Sequence, residues 1–245
     1  MNQKLCLFLV STIFVFVSHE AANALEMQNY AEAALKMQQR FIKIDKSGAV
    51  LADDASQWSC VYDSQTQFLW EEKTDNGGLR DKDWQYTWYD TRKDYNKGVL
   101  GFSDRHDYQD KRATGETCGQ TLEQCNTQKY VEMIAESGGL CGKSDWRLPE
   151  LAELNSLMTE QAVTHPWATT QEKAWFGLST KSVPRQIHIN THYFANLPQQ
   201  SWYWSANTTN NNAAQANIIY FDSALYGAPK SNNLYIRLIH KENSH

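Results

Sequence analysis

Between Glu26 and Ile44, apolar positions recur every three or four residues, which is the spacing of one face of a helix. The positions are Met27, Tyr30, Ala34, Met37, Phe41 and Ile44. The stripe predicts an N-terminal helix over residues 25–45, with an end near Phe41 as an alternative boundary. Because it spans fewer than three heptads, we expect it to pack on its own domain. A short oligomerisation helix that makes a homo-oligomer is the alternative.

Shorter and alternating apolar patterns of the kind found in strands follow. Residues 58–61 and 68–70 are predicted strands separated by a polar turn, and Trp84, Tyr86 and Trp88 alternate with polar residues. The later strand candidates are residues 175–178, 187–189, 202–205, 218–221 and 235–239. The Asn-rich residues 207–216 are predicted to form an exposed loop between two of them.

Two helices are predicted in the middle of the chain. Asn126 or Thr127 can cap a helix that runs to about Ser137 and ends at a glycine pair. Pro149 stands at the favoured first position of a second helix. Strands, then two helices, then strands again predict an α+β domain with an antiparallel sheet over residues 46–245.

The N-terminus has the three parts of a secretory signal peptide, predicted over residues 1–24. Lys4 supplies a positive charge, residues 5–17 are largely apolar, and residues 22–24 form an A-x-A cleavage site. The apolar run is shorter than the roughly 20 residues of a membrane span. We therefore expect an exported protein, in the periplasm or at the cell surface, with no membrane span after cleavage.

The cysteines agree with export. An even number, four, follows the leader, and an even number in an exported chain indicates two disulfides. Three pairings are open, and we favour Cys60–Cys141 together with the local pair Cys118–Cys125. A zinc site is the rival interpretation, but the chain has no C-x-x-C pair.

Charge and composition limit the partners. The net charge of −5 argues against nucleic acid. Nine Trp and twelve Tyr are many for this length, and such rings fill the cores of loop-rich domains or line sugar sites.

Candidate metal ligands are few. A polar loop holds Asp104, His106, Asp107 and Asp110. Their spacing differs from that of an EF-hand, so we favour a solvated loop over a calcium site. His188 and His192 are four residues apart, but in a strand and its turn that spacing separates the two rings. We predict no metal ion and no cofactor.

Several segments, taken in order, resemble the bacterial Lcl C-terminal domain family. The specific part is Leu140-Cys141-Gly142 running into Asp145-Trp146-Arg147-Leu148-Pro149 and its helix. The supporting parts are residues 58–63, 66–71, 77–80, 86–89, 193–194, 203–205 and 235–238, together with Cys118 and Cys125. The resemblance implies a C-type-lectin-like domain with an antiparallel sheet, two helices and long loops. Gln67 and Asp222-Ser223 depart from the glycines usual in the family.

Within that resemblance, Trp146, Arg147, Pro149 and Arg237 are interpreted as structural. Trp146 is expected to fill the core, and Arg147 to pair with an acidic side chain or a backbone acceptor. Ligand contacts are expected instead from Tyr203, Trp204 and Asn207, where rings could stack on sugar and amides could bond hydroxyls.

No catalytic motif is recognisable in the sequence. The sequence therefore favours an exported, non-catalytic recognition module that binds a glycan or an envelope protein. The alternatives are an exported enzyme or accessory subunit, which predicts a concave pocket with a perturbed titratable residue, and a structural subunit of a surface assembly.

Overall fold

The structure is a computed structural model. It describes residues 22, 24–103, 125–160, 163–172, 181–198, 202–221 and 224–241. Most of the predicted signal peptide, the loop with Asp104, His106, Asp107 and Asp110, the cysteine Cys118 and the strand candidate 175–178 lie outside the described residues.

The N-terminal stripe forms two elements rather than one helix. Helix α1 covers residues 24–37, and strand β1 follows at Phe41–Ile44. The prediction of helix to residue 45 was therefore wrong for its last part. Gln38 has a positive φ of 54°, which ends the helix, and all four β1 residues are buried, so no alternation marks them as a strand.

Helix α1 packs on the domain through part of its stripe. Tyr30 and Ala34 are buried in the core, whereas Met37 is exposed. The Tyr30 hydroxyl donates to the Gly48 carbonyl at 2.6 Å, and the Lys143 ammonium lies 2.9 Å from a Glu26 carboxylate oxygen. These contacts attach the helix to its own domain; a homo-oligomer through this helix stays a prediction.

A four-stranded antiparallel sheet joins the two ends of the domain. Strand β2 is Cys60–Asp63 and strand β3 is Phe68–Glu71, near the positions predicted. The order is β1-β2-β3-β9, where β9 is Ile239–Lys241. A disulfide joins Cys60 of β2 to Cys141, as predicted. Buried Cys125 is also disulfide-bonded, and its predicted partner lies outside the described residues.

Three helices follow α1 in the described residues. Helix α2 is a single turn at Lys93–Asn96, which the sequence pattern did not predict. Helix α3 is Thr127–Glu136, and the Asn126 side chain caps it by accepting from the Lys129 amide, as expected. Helix α4 is Leu151–Ser156, so it starts two residues after Pro149.

The remaining strands form two smaller antiparallel sheets. Strands β4, Val163–Glu172, and β5, Lys181–Ile187, make a hairpin. A three-stranded sheet contains β6, Trp202–Thr208, β7, Gln215–Tyr220, and β8, Ala224–Pro229. The β6–β7 connection is residues 209–214, within the loop predicted over residues 207–216, but the two ends of that predicted loop belong to the strands.

The three-stranded sheet is covered by core on both faces. Trp204 and Ile218 belong to one hydrophobic cluster, whereas Tyr203 and Ile219 belong to the other. The pairing is antiparallel wherever the described strands form a sheet, and the fold is α+β. Among these residues no helix has the length and apolarity that crossing a bilayer requires.

Candidate functional site

Two of the three residues predicted to contact a ligand, Tyr203 and Trp204, are buried rather than exposed, whereas Asn207 is half-buried. Tyr203 and Trp204 are 1% and 0% exposed, because each packs into a core cluster on opposite faces of the sheet. The Trp204 indole donates to the Tyr86 carbonyl at 2.7 Å. The Asn207 side-chain oxygen accepts from the Leu151 amide at 2.8 Å and so caps helix α4.

The Trp146-Arg147 segment has the structural contacts that the sequence suggests. Trp146 is buried, and its indole donates to the carbonyls of Leu140 and Lys143. Arg147 forms a bidentate pair with Glu153, at 2.7 and 2.6 Å, and Glu153 also accepts from the Glu150 amide. The pair fixes the segment to the first turn of α4.

The two histidines contact different residues, and an acidic turn brings three carboxylates together. His188 is 3.0 Å from the Thr159 carbonyl, whereas His192 is 3.1 Å from Asp53. Asp75, Asp81 and Asp83 do cluster, but they already have partners. Lys82 bridges Asp75 and Asp83, at 3.0 and 2.7 Å. Backbone amides donate to both oxygens of Asp81.

One concave site is a polar cleft of about 540 Å³. Four separate parts of the chain form it, namely residues 45–46, 56–59, 72–76 and 195–196. Lys43 holds Trp58 at the rim of the cleft, because its ammonium lies 3.9 Å from the centre of the Trp58 ring. The same ammonium donates to the Asp53 and Ala55 carbonyls. The Trp58 indole donates to the Tyr193 carbonyl at 2.8 Å.

The rim of this cleft carries side chains that are available for hydrogen bonding. Within the described residues, no hydrogen bond engages the side chains of Ser56, Gln57 or Ser59. Ser56 and Gln57 are exposed, and Trp58 between them is half-buried with its ring plane fixed. The rim therefore combines hydroxyl and amide groups with an immobilised aromatic ring.

Beneath the cleft lies a buried network of charged groups. The Arg237 guanidinium donates to a Glu72 carboxylate oxygen at 2.9 Å, and the other Glu72 oxygen accepts from the Asn196 amide at 2.8 Å. Lys73 lies 3.2 Å from a Glu71 oxygen and donates to the Tyr130 hydroxyl at 2.9 Å. These four charged residues are between 0% and 3% exposed.

Burial and pairing shift the titration of these groups. Burial raises the pKa of Glu72, and Arg237 offsets the shift only in part. Burial also opposes ionisation of Glu71, but Lys73 and Arg80 outweigh it and hold the Glu71 pKa below its ordinary value. Burial lowers the pKa of Lys73 to about 8, against the attraction of Glu71. Both oxygens of Glu72 are already bonded, so the network holds the floor of the cleft in place.

Sequence reasoning missed this cleft. Its residues come from four segments that no spacing connects, and Ser56 and Gln57 stand in a stretch without a recognisable pattern. Arg237 was predicted to be structural, and it is fully buried beneath the cleft with its pair to Glu72.

Comparison with known proteins identifies the family of the chain. Searches of curated proteins and of solved structures found no match. The profile of the family described as Lcl C-terminal domain matches residues 59–240, which is most of the chain. The match includes the buried network, the Trp146-Arg147 segment and most of the cleft. The protein belongs to the Lcl C-terminal domain family.

Proposed function

We propose that this protein is an exported recognition module that binds a neutral glycan in the polar cleft, at the bacterial envelope or surface. One observation carries the proposal: the unengaged side chains of Ser56, Gln57 and Ser59 flank the fixed ring of Trp58 at a concave site. A C-type-lectin-like fold, implied by the family resemblance, is part of the same proposal.

The chemistry of the rim suits a sugar. A sugar presents several hydroxyl groups and one or more flat C–H faces, which require donors, acceptors and an aromatic surface together. The cleft volume of about 540 Å³ falls inside the range of small-ligand sites. Lys46 and Asp75 also line the cleft, so its charges are mixed and a neutral ligand is favoured over an anion.

The floor supports binding better than chemistry. The Glu72 oxygens and the Lys73 ammonium are directed to Arg237, Asn196, Glu71 and Tyr130 by hydrogen bonds. A group that is committed to internal partners holds the site in shape but has little freedom to exchange protons with a ligand. A pre-formed site of this kind lowers the ordering cost of binding.

Glycan-array binding of the oxidised protein tests the proposal. We expect a neutral glycan to bind at micromolar levels. A Ser56→Ala/Gln57→Ala variant should bind at least about fivefold more weakly, because each lost hydrogen bond costs about 0.5–1.5 kcal/mol. Gln65→Ala, in an exposed turn, is the matched control. No neutral glycan bound at micromolar levels, or equal affinity of the double variant, would overturn the proposal.

An exported enzyme is the second candidate, and the buried position of Lys73 in the lining of the cleft favours it, because burial lowers the pKa of that ammonium to about 8. The two candidates differ in the fate of the ligand. Mass spectrometry of a glycan recovered after incubation with the protein is expected to show an unchanged mass. A cleaved or modified product that forms with the wild-type protein but not with Lys73→Met would show that the protein is an enzyme rather than a recognition module.

A further inference from the structure

A second concavity, far smaller than the cleft, lies between helix α3 and the Trp146-Arg147 segment. Its volume is about 310 Å³, at the lower end of the range for small-ligand sites. Residues 89–92 form one wall, residues 127–128 and 131–132 of α3 a second, and residues 146–148 a third. We call this concavity the α3 groove. It shares no residue with the polar cleft.

Planar groups held at fixed orientation surround the α3 groove. The Arg92 guanidinium is bidentate to Asp90, with nitrogen–oxygen distances of 3.0 and 2.6 Å, and stacks 4.1 Å from the centre of the Tyr95 ring. The Arg147 guanidinium is held in the same way by Glu153. Because both forks are fixed, their planes are pre-organised rather than mobile.

The charges of the α3 groove are compensated locally. Arg92 pairs with Asp90, Arg147 with Glu153, and Glu132 with Lys129 at 3.2 Å. Neither an anion nor a cation finds an unpaired partner among these groups. Compensated guanidinium groups still present flat, weakly hydrated surfaces, on which aromatic rings stack well.

The apolar part of the lining completes the site. Val131 lines the groove and packs against the hydrophobic core, and the lining residues Leu148 and Trp146 are buried. Thr91 donates to the Gln128 side-chain oxygen through its amide and its hydroxyl, at 3.0 and 3.1 Å, and this ties one wall to the other. The groove is thus pre-formed, apolar at the base and bordered by planar groups.

We propose that the α3 groove binds one neutral, planar aromatic group of the size of an indole or phenol ring. The volume excludes a large ligand, the compensated charges disfavour an ionic one, and the fixed planes of Arg92 and Arg147 favour a ring over a branched aliphatic group. This proposal is independent of glycan binding in the polar cleft.

Binding of N-acetyl-tryptophanamide, followed by NMR shifts of backbone amides, tests the proposal. We expect saturable shifts at millimolar concentrations, confined to residues 89–92, 128–132 and 146–148. N-acetyl-leucinamide is expected to bind at least about fivefold more weakly, because it lacks a ring. 3-Methylindole separates the two sources of such a ring: equal affinity identifies a free aromatic compound, and weaker binding a peptide side chain.

Two variants and a control locate the site. Val131→Trp fills the groove and is expected to abolish the shifts. Gln65→Trp, at an exposed turn position that does not line the groove, is expected to leave affinity unchanged. Arg92→Met keeps the apolar stem and removes the plane, and should weaken binding several-fold even if Val131→Trp proves poorly folded. Absence of shifts at 10 mM, equal binding of the leucine compound, or unchanged affinity in both groove variants would overturn the proposal.

Discussion

Two charged clusters lie next to each other on one segment of the chain, and they differ in burial. Residues 71–73 and their partner Arg237 are almost fully buried. The turn that contains Asp75, Lys82 and Asp83 is open to solvent, with the Asp75 and Asp83 side chains 64% and 48% exposed. Both clusters place carboxylates around a cation at comparable distances.

The comparison teaches that distance alone does not measure an ion pair. In the exposed turn, water and salt screen the charges, and the side chains lose freedom by pairing. In the buried network, removal of one partner leaves the other charged in a low-dielectric interior. The Arg147–Glu153 pair, with side chains 30% and 16% exposed, lies between these limits. The same kind of contact is therefore expected to differ several-fold in its effect on stability.

The largest effect is expected for Arg237→Met. The substitution keeps much of the volume but leaves Glu72 buried without its cation, so unfolding free energy should fall by about 3–5 kcal/mol in urea titrations at neutral pH. The double variant Glu72→Gln/Arg237→Met is expected to recover more than half of that loss. A loss below about 1 kcal/mol in the single variant would contradict the distinction between buried and exposed pairs.

An intermediate effect is expected for Arg147→Met. The variant loses a bidentate, half-buried pair with Glu153, and hydrogen bonds to charged groups contribute about 1.5–3 kcal/mol. Thermal and urea unfolding measure the change. A matched control is Lys129→Met, whose carboxylate partners Glu132 and Glu136 are 45% and 66% exposed, compared with 16% for Glu153. Equal losses of unfolding free energy in the two variants would show that burial does not determine how much such ion pairs contribute to stability.

The pH dependence of the stability loss in Arg147→Met tests whether the loss comes from the ion pair with Glu153. Burial opposes ionisation of Glu153, but Arg147 and the Glu150 amide outweigh it, so the pKa of Glu153 lies below its ordinary value. A carboxyl group whose pKa is lowered on folding stabilises the folded state at pH values above its unfolded pKa, about 4.3. This contribution is lost as the pH falls through the folded pKa. The deficit measured at neutral pH should therefore shrink at about pH 3. A deficit that stays constant would assign it to lost packing.

The smallest effect is expected for Lys82→Met, because both of its carboxylate partners, Asp75 and Asp83, are exposed. Unfolding free energy should fall by less than about 1 kcal/mol, and 1 M salt should remove the difference from wild type. Urea titrations with and without salt measure both values. The Arg237→Met deficit is expected to persist at high salt, since the network excludes the screening ions.

The sequence predicted the parts of the fold that depend on local pattern. Strands β2, β3, β6 and β7 and helix α3 lie near their predicted positions, because turn residues and the Asn126 cap mark their ends. Strand β1 was missed because four consecutive buried residues carry no period. The predicted pairing of Arg147 with an acidic group is present, since the acceptor Glu153 is close in sequence.

The candidate sites were less predictable. Tyr203 and Trp204 were expected at the surface, because an antiparallel strand usually has one solvated face, but core covers both faces of this sheet. The polar cleft and the α3 groove each contain segments that are distant in the chain, so no spacing of residues in the sequence predicts them. Long-range packing, rather than local propensity, determines both sites.

Five of the tryptophans in the described part of the chain direct their indole N–H to a main-chain carbonyl: Trp58, Trp84, Trp88, Trp146 and Trp204. A carbonyl is present whatever amino acid occupies the accepting position. The anchorage of each indole therefore depends on the path of the main chain rather than on the identity of the accepting residue.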